Sequence, residues 1–249
     1  MDVKILKNKT EMSKAAAAYG AEVLRKVLAE KGAVNMIAAP APSQFEMMSF
    51  LVQEPGIDWS KVTLFHLDEY IGLPAGHKAG FRLNLKENFI NKLPCQLAEV
   101  FFVNGDTEDP AAFCAEMKKV MADHPVDIAF IGVGENGHIA FNDPPADFDT
   151  DEAFLVVKLD EACRRQQLGE GWFKTFEDVP THAVSMAIKQ IMMSKAIICS
   201  VPDARKAEAV AGALEGPLSN LCPSSIMQMH PECWLYLDPD SAKLLKKSY

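Results

Sequence analysis

Seven short, mostly apolar runs alternate with stretches of helical period along this chain, and that alternation constrains the fold more than any other feature. The runs cover 34–39, 62–67, 100–103, 128–133, 154–159, 196–201 and 233–237. Between them, apolar side chains recur at helical spacing. Over 11–31 they are Met12, Ala16, Tyr19, Val23, Val27 and Leu28, with Gly32 as a stop. Ser43 and Glu46 form a capping-box pattern that opens a helix to about 52, and 80–92 reads as helical. Asp109-Pro110 opens a helix carrying Phe113, Met117 and Val120 on one face. A short helix follows over 160–168. Asp203 caps another, bearing Ala207, Val210, Ala211 and Leu214 and stopped by Gly216, and Pro239 begins a terminal one. Strand and helix in alternation predict the α/β class: a three-layer, Rossmann-like, mostly parallel sheet with helices on both faces. No repeat or Gly/Ser-rich linker interrupts the pattern, so residues 1–249 read as a single domain.

Composition narrows the functions open to such a fold. The net charge of -9 argues against a broad grip on nucleic acid, and an anionic ligand would need a local basic site. No apolar stretch approaches the roughly 20 residues of a membrane span, and the N-terminal residues carry no secretory h-region. A cytoplasmic protein is expected. The six cysteines form no C-x-x-C pair, which removes zinc-ribbon and thioredoxin-type readings.

Three loops carry chemistry. In Phe65-His66-Leu67-Asp68-Glu69-Tyr70, two adjacent carboxylates end a strand and either cap a turn or supply a general base. In the second, a glycine-rich turn after the 128–133 run delivers His138, with Asp143 five residues on. Gly132, Gly134 and Gly137 match G-x-G-x-x-G, but Pro144-Pro145 stands where a dinucleotide site needs a helix. His138 and Asp143 read instead as a proton-handling couple, or as a brace for the loop. In the third, Arg205 and Lys206 follow the cap Asp203 in a first helical turn, where cations oppose the helix dipole. They are either solvated charges or an anion site.

Taken in order, these blocks resemble the glucosamine-6-phosphate deaminase/isomerase family. The resemblance is carried by Leu67-Asp68-Glu69-Tyr70-Ile71-Gly72-Leu73-Pro74, by Gly132-Val133-Gly134 through Gly137-His138-Ile139-Ala140-Phe141-Asn142, by Lys206 and Leu214-Glu215-Gly216, and by Met229-His230-Pro231. The 6-phosphogluconolactonases share the fold and a similar Gly-His block. The resemblance implies that His138 relays a proton to the ring oxygen of an amino-sugar 6-phosphate. Asp68 then moves a proton from C2 to C1, and the imine at C2 is hydrolysed to a ketose phosphate and ammonia. It implies no metal and no organic cofactor. Asp143 and Asn136 complete the expected catalytic group, and Ser43, Gln44, Glu69, Gly137, Arg164, Gln167 and Lys206 the expected substrate- and phosphate-binding group.

Departures from the family pattern qualify these expectations. Asn136 stands where the family has Asp, and Asp143 where it has Glu. Pro40 and Pro42 remove backbone donors from the first phosphate loop. The family's phosphate-binding arginine falls near Gln167, with Arg164 and Arg165 one turn earlier. Asn before Gly-His also occurs in relatives assigned to galactosamine 6-phosphate. A galactosamine-6-phosphate isomerase/deaminase and a lactonase-type hydrolase are therefore the alternatives to a glucosamine-6-phosphate deaminase. Family members occur as hexamers, dimers or monomers, so a homo-oligomer is among the expected states.

Overall fold

The computed structural model describes residues 1–249. In chain order its regular elements are β1 (Asp2–Ile5), α1 (Lys9–Lys31), β2 (Val34–Ala38), α2 (Phe45–Gln53), β3 (Val62–His66), β4 (Asp68–Tyr70), α3 (Phe81–Asn88), β5 (Glu99–Phe101), α4 (Pro110–Asp123) and β6 (Ile128–Ile131). Then come β7 (Phe154–Lys158), α5 (Glu161–Gly169), β8 (His182–Met186), α6 (Ile188–Met192), β9 (Ala196–Val201), α7 (Ala207–Glu215) and β10 (Cys233–Leu237). Seven strands form one sheet in the order β1-β10-β9-β6-β2-β3-β5, and every pair in it is parallel. Two large apolar clusters cover its faces, one built around Ile37, Phe65 and Ile131, the other around Met36, Leu64 and Phe130. Alternate residues of the same strands thus feed opposite layers, as the two-residue period of a strand requires. The expected three-layer α/β class is the observed one. No helix is long and apolar enough to cross a membrane.

The strand order fixes where a ligand can sit. From β2 the chain moves outward to β3, whereas from β6 it moves the other way to β9. The carboxyl ends of β2 and β6 therefore flank a topological switch point, where open α/β sheets form their binding crevice.

Three sequence expectations need correction. A second sheet, antiparallel in the order β4-β8-β7, was not expected. The 62–67 run splits at Leu67. Its first part stays in the large sheet, and Asp68–Tyr70 pairs with β8, Asp68 opposite Ser185. The Ser43/Glu46 capping box does not form. Gln44 is the α2 N-cap without a side-chain bond, and Glu46 instead accepts the Thr10 hydroxyl of α1 at 2.7 Å. The terminal helix after Pro239 is absent. The Asp238 carboxylate captures the Ser241 N–H at 2.8 Å, residues 239–244 form turns, and the Glu215 carboxylate takes the backbone N–H groups of Lys246 and Lys247. The expected caps at Asp109 and Asp203 form, each accepting an N–H of its first turn, and Asn8 and Asp160 cap α1 and α5 in the same way.

Candidate active site

Asp68 and His138 reach one cleft because two loops are stitched to the small sheet. The Ser185 hydroxyl accepts the Phe141 N–H at 3.0 Å, and Asn142 Nδ2 donates to the carbonyls of Ile139 (2.9 Å) and Met186 (2.8 Å). Ser185 is also the β-partner of Asp68. The loop that carries His138 and the strand that carries Asp68 are thereby tied to the same residue. The cleft they share holds about 540 Å³ of open space at the switch point. Asp68, His138, Ser43, Gln167 and Lys206 all line it, with Phe81, Phe141 and Leu67 as apolar walls.

The polar groups on this cleft are buried, and their working ends are free. Asp68, His138, Gln167 and Lys206 are each 7% exposed or less. Buried polar groups normally find partners. Yet no hydrogen bond within the protein reaches the Asp68 carboxylate, and Lys206 lacks an ion-pair partner within 4.0 Å. The Gln167 Oε1 is buried without a partner. Burial pushes the Asp68 carboxyl well above the usual aspartate range, and the neighbouring Glu69 adds to the shift. Burial likewise pulls Lys206 below the usual lysine range, against the opposing pull of Glu170 and Glu135. A dry carboxylate of raised basicity and a desolvated ammonium are costly unless a ligand completes them.

The turn bearing His138 is built for close approach. Gly134 N–H donates to the His138 carbonyl at 2.9 Å, and Gly137, at φ +84°, makes the tight return. A Cβ on Gly134 would lie 2.2 Å from His138 Cε1 and Nε2, so only glycine lets the ring lie flat against the loop. Behind the ring, His138 Nδ1 lies 3.0 Å from Asp143 Oδ1, an ion-pair contact out of line with a good N–H bond. Burial works to raise the Asp143 pKa, but His138, the Asn136 amide and the Asp160 N–H outweigh it, and the carboxyl titrates below its usual range.

Several expected contact residues lie elsewhere. Asn136 is not on the cleft wall. Its Nδ2 donates at 3.0 Å to both Asp143 Oδ1 and Asp160 Oδ2, and its Oδ1 accepts the His138 N–H at 3.1 Å. An amide suits this place because an aspartate would set a third carboxylate between two others. Asn136 and Asp143 thus position His138 from behind. Gln44 is fully buried and spent on Ser200, whose carbonyl it meets at 2.8 Å and whose hydroxyl it accepts at 2.8 Å. Glu69 accepts the N–H groups of Tyr70, Phe81 and Arg82, so it caps the start of α3. Gly137 faces Cys222 and Ser224. Arg164 is pinned to the carbonyls of Phe176 (2.9 Å) and Val179 (2.8 Å) and stacks on Phe176. Arg165 pairs with Glu161, and Arg205 with Asp203 and Glu135. Lys206 is left as the one lysine or arginine on the cleft wall.

Sequence reasoning missed Gln166 and Glu170, which line the cleft from α5 and the residue after it. Gln166 Oε1 holds the Glu135 N–H at 2.8 Å and its Nε2 meets Glu170 at 3.0 Å. A signal existed: Cys163, Gln166, Gln167 and Glu170 fall at i, i+3, i+4 and i+7, the spacing of one helix face. That face is too polar to read as core. Donor atoms of the kind that hold metals gather once, at His138, Asp143 and Cys163.

Comparison with known proteins agrees with this arrangement. The family model described as glucosamine-6-phosphate isomerases/6-phosphogluconolactonase matches residues 7–235. The glucosamine-6-phosphate deaminase of Streptococcus pneumoniae (strain 70585) is 34% identical over 245 residues, spanning 98% of this chain and all of that protein. A solved monomeric glucosamine-6-phosphate deaminase superposes with a TM-score of 0.89 at 28% identity, covering 98% of this chain and 100% of that one. The 6-phosphogluconolactonase of Trypanosoma brucei shares the fold, with a TM-score of 0.76 at 16% identity over 98% of each chain. The chain therefore belongs to the glucosamine-6-phosphate isomerase/6-phosphogluconolactonase family, whose named relatives here are enzymes.

Proposed function

We propose that the protein is a deaminating aldose–ketose isomerase that converts glucosamine 6-phosphate and water to fructose 6-phosphate and ammonia. One observation carries the reading: a dry carboxylate, a histidine and an unpaired lysine converge on a single cleft with their functional ends free. Lys206 holds the phosphoryl group, with the Ser43 hydroxyl and the Gln167 amide beside it. His138 Nε2 takes the proton of the C1 hydroxyl and passes it to the ring oxygen as the C1–O5 bond breaks. Asp68 takes the proton from C2 and returns it to C1, and water adds to the resulting C2 imine as ammonia leaves. Phe81 and Phe141 keep bulk water from the Asp68 carboxylate, which preserves its basicity. Asp143 orients the imidazole and stabilises its charged form. The substrate is a phosphorylated amino sugar, and none of these steps calls on a cofactor.

The test is a product assay on three substrates. Glucosamine 6-phosphate is expected to yield ammonia and ketose phosphate in equal amounts, faster than galactosamine 6-phosphate does. Faster ammonia release from the galactosamine ester would move the assignment to that sugar. Acid release from 6-phosphogluconolactone without ammonia from either amino sugar would replace the reading by a hydrolase that leaves Asp68 idle. Lys206→Met is expected to raise KM on the order of 10- to 100-fold, the worth of a hydrogen bond to a charged group, with a smaller change in kcat. An unchanged KM would remove the anchor role.

A further inference from the structure

We propose that His138, Asp143 and Cys163 form a binding site for a zinc-like divalent cation behind the substrate cleft, and that its occupation arrests the enzyme. The imidazole nitrogen, the carboxylate oxygen and the thiol sulfur all lie within 4.8 Å of one another. In a tetrahedral zinc site with bonds of about 2.0–2.3 Å, donor atoms lie roughly 3.3–3.7 Å apart. Side-chain rotations of about an ångström would close the cluster. The set of one nitrogen, one oxygen and one sulfur suits zinc and its neighbours, and not magnesium or calcium, which take oxygen ligands.

Two further observations point to a ligand. His138 is 7% exposed, and its Nδ1 is sealed from solvent with no aligned hydrogen-bond partner, although Asp143 stands 3.0 Å away. A cation seated between that nitrogen and the carboxylate would give each an aligned partner. One of the three donors also borders space outside the substrate cleft. Asp143, though neither His138 nor Cys163, lines a second hollow together with Asp160 and Lys158. The backbone around the donors is already fixed. Asp160 Oδ1 accepts the Cys163 N–H at 2.5 Å, Asp160 N–H holds Asp143 Oδ2 at 2.9 Å, and Asn136 spans both carboxylates.

Coordination exchanges the thiol proton for the metal, releases that proton to solvent, and leaves a fourth position for water. A cation on Nδ1 draws Asp143 away from its orienting role and makes Nε2 a poorer proton acceptor. This second consequence rests on the proposed proton transfer by His138. The binding does not.

Cobalt(II) is the probe. Titrated into the ligand-free full-length protein, it is expected to bind one ion per chain and to give a thiolate-to-cobalt absorption band in the near ultraviolet. Stoichiometric zinc should abolish that band. Cys163→Ser should remove it and weaken zinc binding at least about tenfold, whereas Cys95→Ser and Cys222→Ser should keep it. X-ray absorption of the zinc-loaded wild-type protein should show one sulfur ligand, a readout that needs no variant to fold. A shell without sulfur, or a band that survives in Cys163→Ser, overturns the site. Zinc should also lower ammonia release more than tenfold. Sulfur-ligated zinc with turnover at the metal-free rate would overturn the inhibitory half alone. Should no amino sugar be turned over, the band and the sulfur ligand still decide the site.

Discussion

Asp68→Asn is expected to stop exchange of the substrate C2 hydrogen with solvent and to lower kcat by about 10²- to 10⁴-fold, the usual worth of a general base. Binding of the sugar phosphate should persist, because Lys206, Ser43 and Gln167 lie on other segments of the cleft wall. The same change should stabilise the fold at neutral pH. Burial, then Glu69, raises the Asp68 pKa well above that of an unfolded aspartate. Between the two pKa values the native state binds more protons than the unfolded one, so this group's contribution to stability falls as pH rises through that window. Above the unfolded aspartate's range the folded protein carries a penalty that asparagine removes. At a pH below the unfolded aspartate's range the carboxyl is protonated in both states and the difference closes. Thermal melts of both proteins at neutral and strongly acidic pH measure this, with about 2–4 °C expected for each kcal/mol relieved. The acid limb of the wild-type kcat/KM profile should sit above the ordinary carboxylate range, since the base works only once deprotonated. Wild-type exchange in Asp68→Asn, or a melting temperature that drops at pH 7, would contradict this account of the residue.

Gly134→Ala is the second large effect. The added Cβ would sit 2.2 Å from His138 Cε1 and Nε2, far inside contact distance. The imidazole must leave its place, or the turn must open and lose the Gly134–His138 backbone bond of 2.9 Å. Overpacking of this kind costs about 1–3 kcal/mol. Displacing a reacting group by an ångström costs about 10²-fold in rate. The expected result is a kcat reduced at least a hundredfold, on that same scale, with a melting temperature lower by a few degrees and an unchanged inhibition constant for a non-reactive sugar phosphate. Gly76→Ala is the control, since its Cβ would meet nothing within 4 Å. Equal kcat in the two variants would show that the close contact of ring and turn has no part in catalysis.

The glycine shows what local sequence can and cannot carry. The pattern of residues 128–138 marks a buried strand followed by a sharp turn, and it places a histidine at the carboxyl end of that strand. It does not say that the ring folds back onto Gly134, since that contact depends on Asp143 and Asn136 behind it. The glutamines make the point more sharply. Gln44, at the start of α2, and Gln167, inside α5, are the same residue type, and both belong to the expected substrate- and phosphate-binding group. Gln44 is consumed by Ser200, on a strand far along the chain, while Gln167 keeps an unpartnered oxygen on the cleft wall. Arg164 and Lys206 divide in the same way, one bound to carbonyls of the 176–179 loop, the other alone.

The α/β class, the place of most strands, the caps at Asp109 and Asp203 and the three loops at strand ends are all legible in the residues alone. Those features depend on residue period and on side chains capping neighbours within a few positions. The assembled fold alone sets the small antiparallel sheet, whose strand β8 (His182–Met186) pairs with β4 and anchors the histidine loop through Ser185. It also decided which buried polar groups keep a free end. Both outcomes depend on partners brought together from distant parts of the chain, and a hydrogen bond taken up by such a partner is no longer open to a substrate.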